Sequence, residues 1–163
     1  MGTGSVKAGK VYGAIQTGLL AMYAIAVFFG SRTPVLLSGR IPRIVGSLFC
    51  VAGLLLLFAG VRNLGSAIQV NPSPKAGASL VTTGIYRWFR HPIYTAIVFL
   101  VTGLFLRTPT IAVACATAIV VVYLAIKIRF EEKMLLASYP EYSEYRHRAW
   151  GLVPWPHGKS GRP

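Results

Sequence analysis

The four longest stretches of this chain without a charged side chain are Val11–Gly30, Ile44–Val61, Pro92–Leu106 and Thr108–Ile126, of 20, 18, 15 and 19 residues. A bilayer's hydrocarbon core is about 30 Å thick and takes about 20 helical residues to cross. It offers backbone N–H and C=O groups no water, so a spanning segment must satisfy them internally, as a helix does. The first, second and fourth runs have spanning length. The third is short, and either borrows residues from Tyr86–Phe89 or sits among its neighbours away from lipid. One such run would suit the core helix of a soluble domain, but three in 163 residues do not. The first run follows Lys7 and Lys10, as in a secretory leader, yet it is too long and lacks a clear small-residue cleavage site. The expectation is an all-α, polytopic membrane protein with about four transmembrane helices in a single domain, 1–163, whose residues 1–63 form two N-terminal spans.

The chain is 54% hydrophobic and still has a net charge of +13. The two fit because the charge lies between the spans. With four spans, the N-terminus, the second connection and the C-terminal part share a side and hold 13 of the 17 basic residues; the other side holds four. Lys and Arg excess marks the cytoplasmic face, so both termini are expected there. Topology and anionic headgroups account for the charge, and no nucleic-acid partner is expected. Cys50 and Cys115 lie inside apolar runs with no metal-ligand spacing, and read as small packing residues; no metal is expected.

The connections differ in character. Ser31–Arg43 reads as a polar loop broken by Pro34, Gly39 and Pro42, and Asn71–Gly77 as extended loop. Arg107-Thr108-Pro109 closes the last two runs into a tight hairpin. After Ile126 a helical pattern continues to about Leu136, and Tyr139–Trp150 reads as a cytosolic amphipathic helix near the headgroups, with Tyr139, Tyr142 and Tyr145 on one face.

Chemistry concentrates in two clusters. All four acidic residues follow the fourth run: Glu131, Glu132, Glu141 and Glu144. On a helix Lys127 lines up with Glu131 at i, i+4, while Glu131 and Glu132 point about 100° apart, so one can face the bundle as the other faces solvent. The plain reading is a solvated helix end with weak ion pairs. Polar groups converging at a membrane boundary point instead to function. The second cluster is Gly84-Ile85-Tyr86-Arg87-Trp88-Phe89-Arg90-His91-Pro92-Ile93-Tyr94. Gly84 permits a turn, and Pro92 suits a first helical turn and puts Arg90 and His91 at the entrance of the third helix. Here the plain reading is an interfacial anchor: Tyr86, Trp88 and Tyr94 as an aromatic belt, with Arg87 and Arg90 snorkelling.

These two clusters in this order resemble the isoprenylcysteine carboxyl methyltransferase and phospholipid methyltransferase family. The resemblance runs from about Ala78 to Pro154, through Leu80–Arg87, Arg90–Tyr94, Arg129–Leu136, the tyrosines that follow and Leu152-Val153-Pro154. The first two spans match only in being apolar. The resemblance implies that 78–154 binds cofactor and substrate around a helical hairpin. It implies methyl transfer from S-adenosylmethionine to an amphiphile at the membrane–cytosol boundary. By the same resemblance Ala78, Ser79, Leu80, Val81, Tyr86, His91, Pro92, Ile93, Tyr94 and Glu131 bind the cofactor, and Lys127 faces the acceptor substrate. Glu132 is the nearest spare carboxylate for an acceptor that must lose a proton. Two positions depart from the pattern: Ala96 stands where Gly is frequent, and Lys127 where the carboxyl methyltransferases commonly have Arg. The expected acceptor is the carboxylate of a prenylated cysteine or a similar lipophilic acid. The alternatives are a phospholipid amine or, outside enzymes, a membrane scaffold or transporter subunit. A transporter should carry polar residues mid-span, and here only Gln16 and a few hydroxyls qualify.

Overall fold

The computed structural model describes residues 3–30, 36–64 and 80–152. Among them every regular element is helical: α1 (Thr3–Gly30), α2 (Arg40–Leu64), a 3-10 turn (Gly84–Arg87), α3 (Pro92–Arg107), α4 (Ile111–Ser138) and α5 (Tyr142–Arg148). Pro34, the Asn71–Gly77 loop, Ala78, Ser79, Val153, Pro154 and the tail lie outside the described residues.

Three of these helices are long and apolar enough to cross a bilayer: α1 through Val11–Gly30, α2 and α4. The third expected span is shorter. Helix α3 has 16 residues, about 24 Å, and Tyr86–Phe89 adds no α-helical length to it because Gly84–Arg87 forms a separate 3-10 turn. It sits among its neighbours, with Thr95, Ala96, Ile97, Val101 and Gly103 buried. Helix α4 runs the other way in size. Its 28 residues extend about 42 Å, more than the hydrocarbon thickness, so its charged last turns project past the apolar part.

The spatial order is α2, α3, α4, α1, with α2 on α3, α3 on α4 and α4 on α1. Gly46, Gly53 and Gly60, seven residues apart, form the buried seam of α2. A Cβ on Gly46 would lie 2.6 Å from the Gly103 carbonyl oxygen, and one on Gly53 would lie 2.9 Å from Leu100 Cγ. Close backbone approach at small residues is how helices gain dispersion contacts in lipid, where no hydrophobic force draws them together. Cys50 belongs to this seam, its Sγ 2.7 Å from where a Gly103 Cβ would stand. Cys115 does not pack, because it is exposed on the outer surface of α4. Between α1 and the hairpin, the Tyr23 hydroxyl donates to the Val101 carbonyl at 2.6 Å, amid Ile97, Val113, Ala116, Val120 and Leu124.

Two local expectations change. Pro42 does not break the chain: it lies in the first turn of α2, where its missing N–H costs nothing. The amphipathic helix is shorter than Tyr139–Trp150. Tyr139, extended at φ −130° and ψ 106°, ends α4 because the following Pro140 disfavours helical backbone before it.

Helices α1 and α4 run antiparallel, as do α2 and α3: Gly30 meets Val113 while Gly46 meets Gly103 and Gly60 meets Ile93. The start of α1, the ends of α2 and α4 and the start of α3 therefore gather at one end of the bundle.

Candidate active site

The site is built on that end, beginning with a turn only glycine allows. Gly84 has φ +61° and lies so close to Asn63 that any Cβ would overlap its amide. The 3-10 turn that follows buries Tyr86 and exposes Trp88. Burial pushes the Tyr86 phenol up to about 12, so it stays neutral. Pro92 then starts α3 with His91 as its N-cap, as the sequence implied.

The segment after α4 returns to clamp this loop. Arg90 N–H donates to the Trp150 carbonyl (2.7 Å) and Trp150 N–H to the Trp88 carbonyl (2.8 Å). The Tyr145 hydroxyl donates to the Tyr86 carbonyl at 2.6 Å, and Thr95 Oγ1 to the Leu152 carbonyl at 2.9 Å. Arg90 is not a snorkelling anchor. Its guanidinium donates to the carbonyls of Arg146 and Ala149 at the end of α5, where a cation suits the helix dipole. Its Nε sits 3.0 Å from Glu132 Oε1, and both side chains are about nine-tenths buried. The α5 tyrosines likewise turn inward. Tyr142 is 1% exposed, and burial together with the nearby Glu132 charge raises its phenol. Tyr145 is half-buried.

The adjacent glutamates serve different neighbours, and neither points to open solvent. Glu132 gathers three basic side chains: Arg90, His91 Nε2 at 3.4 Å and Arg146 Nε at 3.6 Å. Glu131 accepts from the Tyr94 hydroxyl at 2.6 Å, and Lys127 Nζ lies 3.8 Å from the same oxygen. Lys127 is 3% exposed. Its ammonium donates to Gln16 Oε1 at 2.5 Å and stands 5.2 Å from the Tyr94 ring centroid, a favourable cation–π position. Arg129 and Lys133 are exposed. Helix α1 supplies the far wall, with Tyr12 stacked on Phe130 at 4.7 Å and near Tyr123.

Of the residues singled out in the sequence, Tyr94, Lys127 and Glu131 meet directly. His91 joins them through Tyr94, on whose ring it stacks at 5.7 Å and 17°, and its imidazole turns to Glu132 rather than Glu131. Pro92 is buried as the first residue of α3, and Ile93 packs on Gly60 of α2. Leu80 and Val81 are half-buried coil beside the turn. Gln16, Tyr12, Tyr123, Arg90 and Arg146 were not among the site residues expected. Gln16 had a signal, as the one amide in a charge-free run. Arg90 had another, as the residue before His91-Pro92.

No group of three or more His, Cys, Asp or Glu side chains able to hold a metal ion occurs among the described residues. Among the described residues both contacts to Glu131 fall on Oε1, which leaves its second oxygen without a described partner. The arrangement thus offers a carboxylate for an ammonium, aromatic faces for a sulfonium, and a desolvated ammonium for an anion. All three lie where the apolar bundle meets its polar end.

The comparisons agree with this architecture. The sequence profile described as phospholipid methyltransferase matches residues 41–142. It takes in α2, beyond the half of the chain that carries the resemblance in sequence. A cobalt-zinc-cadmium resistance protein, CzcN, of Cupriavidus metallidurans is 33% identical over 113 residues, 68% of this chain and 51% of that protein. The methanethiol S-methyltransferase of Mycobacterium tuberculosis is 36% identical over 76 residues, 45% of this chain and 30% of that enzyme. This chain therefore spans about half or less of the curated relatives it matches. The solved structure of the eukaryotic intramembrane Ras methyltransferase, isoprenylcysteine carboxyl methyltransferase, superposes with a TM-score of 0.63 at 23% identity, covering 87% of this chain and 52% of that one. The fold is shared with that enzyme, and the profile match, spanning more than half the sequence, shows that the chain belongs to the phospholipid methyltransferase family.

Proposed function

We propose that this protein transfers the methyl group of S-adenosylmethionine to a lipophilic anionic acceptor at the membrane–cytosol boundary, the carboxylate of a prenylated cysteine or a similar lipophilic acid being the preferred class. The observation that carries the reading is the buried Lys127–Glu131–Tyr94–Gln16 cluster, drawn from three helices onto one end of an apolar bundle. When bound, the cofactor supplies an electrophilic methyl group on a sulfonium. The donor set fits it: Glu131 would hold the ammonium, Tyr94 and Tyr86 would pack against the remainder, and the Leu80-Val81 segment would line it. Lys127, its charge shared among Gln16, Glu131 and an aromatic face, would hold and orient an anionic acceptor. In-line displacement needs alignment above all, and attack by an anion on a cation is favoured where water is excluded.

A buried ammonium favours an anion over an amine, which argues against a phospholipid amine acceptor. It suits a thiolate as well as a carboxylate. The Mycobacterium tuberculosis relative is named for a thiol substrate, and a thiol acceptor is the second reading. A long apolar chain would reach the site sideways from lipid, since exposing each methylene to water costs about 0.8 kcal/mol. The test is to incubate purified protein with labelled S-adenosylmethionine and prenylcysteines, small thiols and phosphatidylethanolamine, using wild type, Lys127→Ala and Lys127→Arg. Carboxylate turnover that falls in Lys127→Ala and largely survives in Lys127→Arg is expected. Turnover of the amine lipid alone, undiminished in Lys127→Ala, would overturn the acceptor class.

A further inference from the structure

The opposite end of the bundle holds an open cleft of about 370 Å³ between the start of α2 and the α3–α4 hairpin. Its polar lining comes from Arg43, Arg107, Ser38 and Thr108, and its apolar lining includes Leu37 and Leu106. The two arginines share a bridge through Ser47: Arg107 Nη1 donates to Ser47 Oγ at 2.5 Å, and Ser47 Oγ donates to the Arg43 carbonyl at 2.8 Å. The bridge fixes the Arg107 guanidinium on α2.

No side-chain carboxylate of this chain can neutralise that pair. The sequence has no Asp, and its first Glu is Glu131, twenty residues and about 30 Å along α4 from Ile111. Glu132 and α5 lie at that far end too. Two arginines thus line one cleft at a membrane boundary with no side-chain carboxylate near them. Guanidinium forks match phosphate oxygens in a bidentate way. The apolar part of the lining suits the glyceride portion of a lipid.

We propose that this cleft binds the phosphate of an anionic membrane phospholipid, in the leaflet opposite the Lys127–Glu131 cluster. The site is separate from methyl transfer and does not depend on the acceptor being correctly assigned. Native mass spectrometry on detergent-solubilised protein tests it, titrating phosphatidylglycerol, the matching diacylglycerol, and inorganic phosphate. Wild type should retain one more phosphatidylglycerol than Arg43→Gln/Arg107→Gln, whose affinity for that molecule should fall about tenfold or more. Diacylglycerol should not be retained, and millimolar phosphate should not displace the lipid. Arg43→Lys/Arg107→Lys keeps the charge without the fork and should retain the lipid with a smaller loss, which separates loss of the site from loss of the fold. Equal phosphatidylglycerol retention by wild type and the Gln pair would overturn the proposal. Equal retention of diacylglycerol would do so too, since the phosphate would then contribute nothing. Displacement by inorganic phosphate would assign the cleft to a free anion and overturn the lipid.

Discussion

Glu131 and Glu132 are neighbours in the chain, yet among the described residues Glu131 is contacted on one oxygen and Glu132 on both. Glu132 compensates Arg90, whose Nε is buried. Removing one member of a buried pair strands the other, at a cost of about 3–5 kcal/mol. Glu132→Gln is therefore expected to lower the melting temperature of the purified protein markedly. Glu131→Gln leaves an amide that still accepts from Tyr94 but removes the countercharge of the buried Lys127, which keeps its bond to Gln16; it should melt below wild type, yet above Glu132→Gln, where three basic side chains lose their shared carboxylate. The S-adenosylmethionine affinity of Glu131→Gln should also fall by the worth of a charge-assisted bond, about 1.5–3 kcal/mol. Calorimetry and thermal melts on both variants check this. Small, equal effects from both would return the pair to the status of a solvated helix end. The resemblance separated the two, with Glu131 on the cofactor and Glu132 spare, but the pairing of Glu132 with Arg90 was not legible in the sequence. Helical spacing gave the roughly 100° between the two side chains and the Lys127–Glu131 pair, because those are local. Which glutamate meets Arg90 depends on a contact across 42 positions that no periodicity encodes, and Gln16 reaches Lys127 across 111.

At the scale of elements, the charge-free runs foretold α1, α2 and α4 because a bilayer leaves a long apolar segment few alternatives. The same runs said nothing of how the helices pair. That information lies in the heptad-spaced glycines of α2, whose fit against Gly103 and Leu100 is visible only once α3 is in place. Gly46→Val should clash with the Gly103 backbone, which cannot rotate away as a side chain does, at a cost of about 1–3 kcal/mol. A thermal melt reads the loss. A Val at Gly18, where nothing lies within 4 Å, should leave stability near wild type. Helix α5 shows a different limit. Its three-residue tyrosine spacing suggested three tyrosines on one face of a helix, but Pro140 removed Tyr139 from the helix, and Tyr142 is buried beside the clamp on the Gly84–His91 loop. The clamp has its own consequence. Tyr145→Phe loses the bond to the Tyr86 carbonyl, worth about 0.5–1.5 kcal/mol, and should raise amide exchange across residues 84–91 more than in α1.

For the whole molecule, the antiparallel pairing puts the start of α1, the end of α2, the start of α3 and the end of α4 together, the grouping on which the count of 13 basic residues against four rests. That the 13-residue side is cytoplasmic is the expectation drawn from the charge bias, and it requires the short α3 to cross. If α3 crosses with its neighbours by thinning the bilayer or snorkelling its flanking residues, the chain crosses four times and the Lys127–Glu131 cluster faces the cytosol that supplies S-adenosylmethionine. Were α3 to re-enter instead, the hairpin at Arg107–Thr110 would stop inside the membrane. The Arg43–Arg107 cleft would then sit in hydrocarbon, at a cost of several kcal/mol for each unpaired charge. The pairing of Arg107 with Ser47 near the start of α2 argues for a full crossing, because α2 is long enough to span. Reporter fusions at residue 163 and within 31–43 should therefore report opposite sides, and a tag inserted at Thr108 should report the same side as the one in 31–43. A Thr108 tag that reports with residue 163, or is protected from both sides, would mean that α3 does not cross.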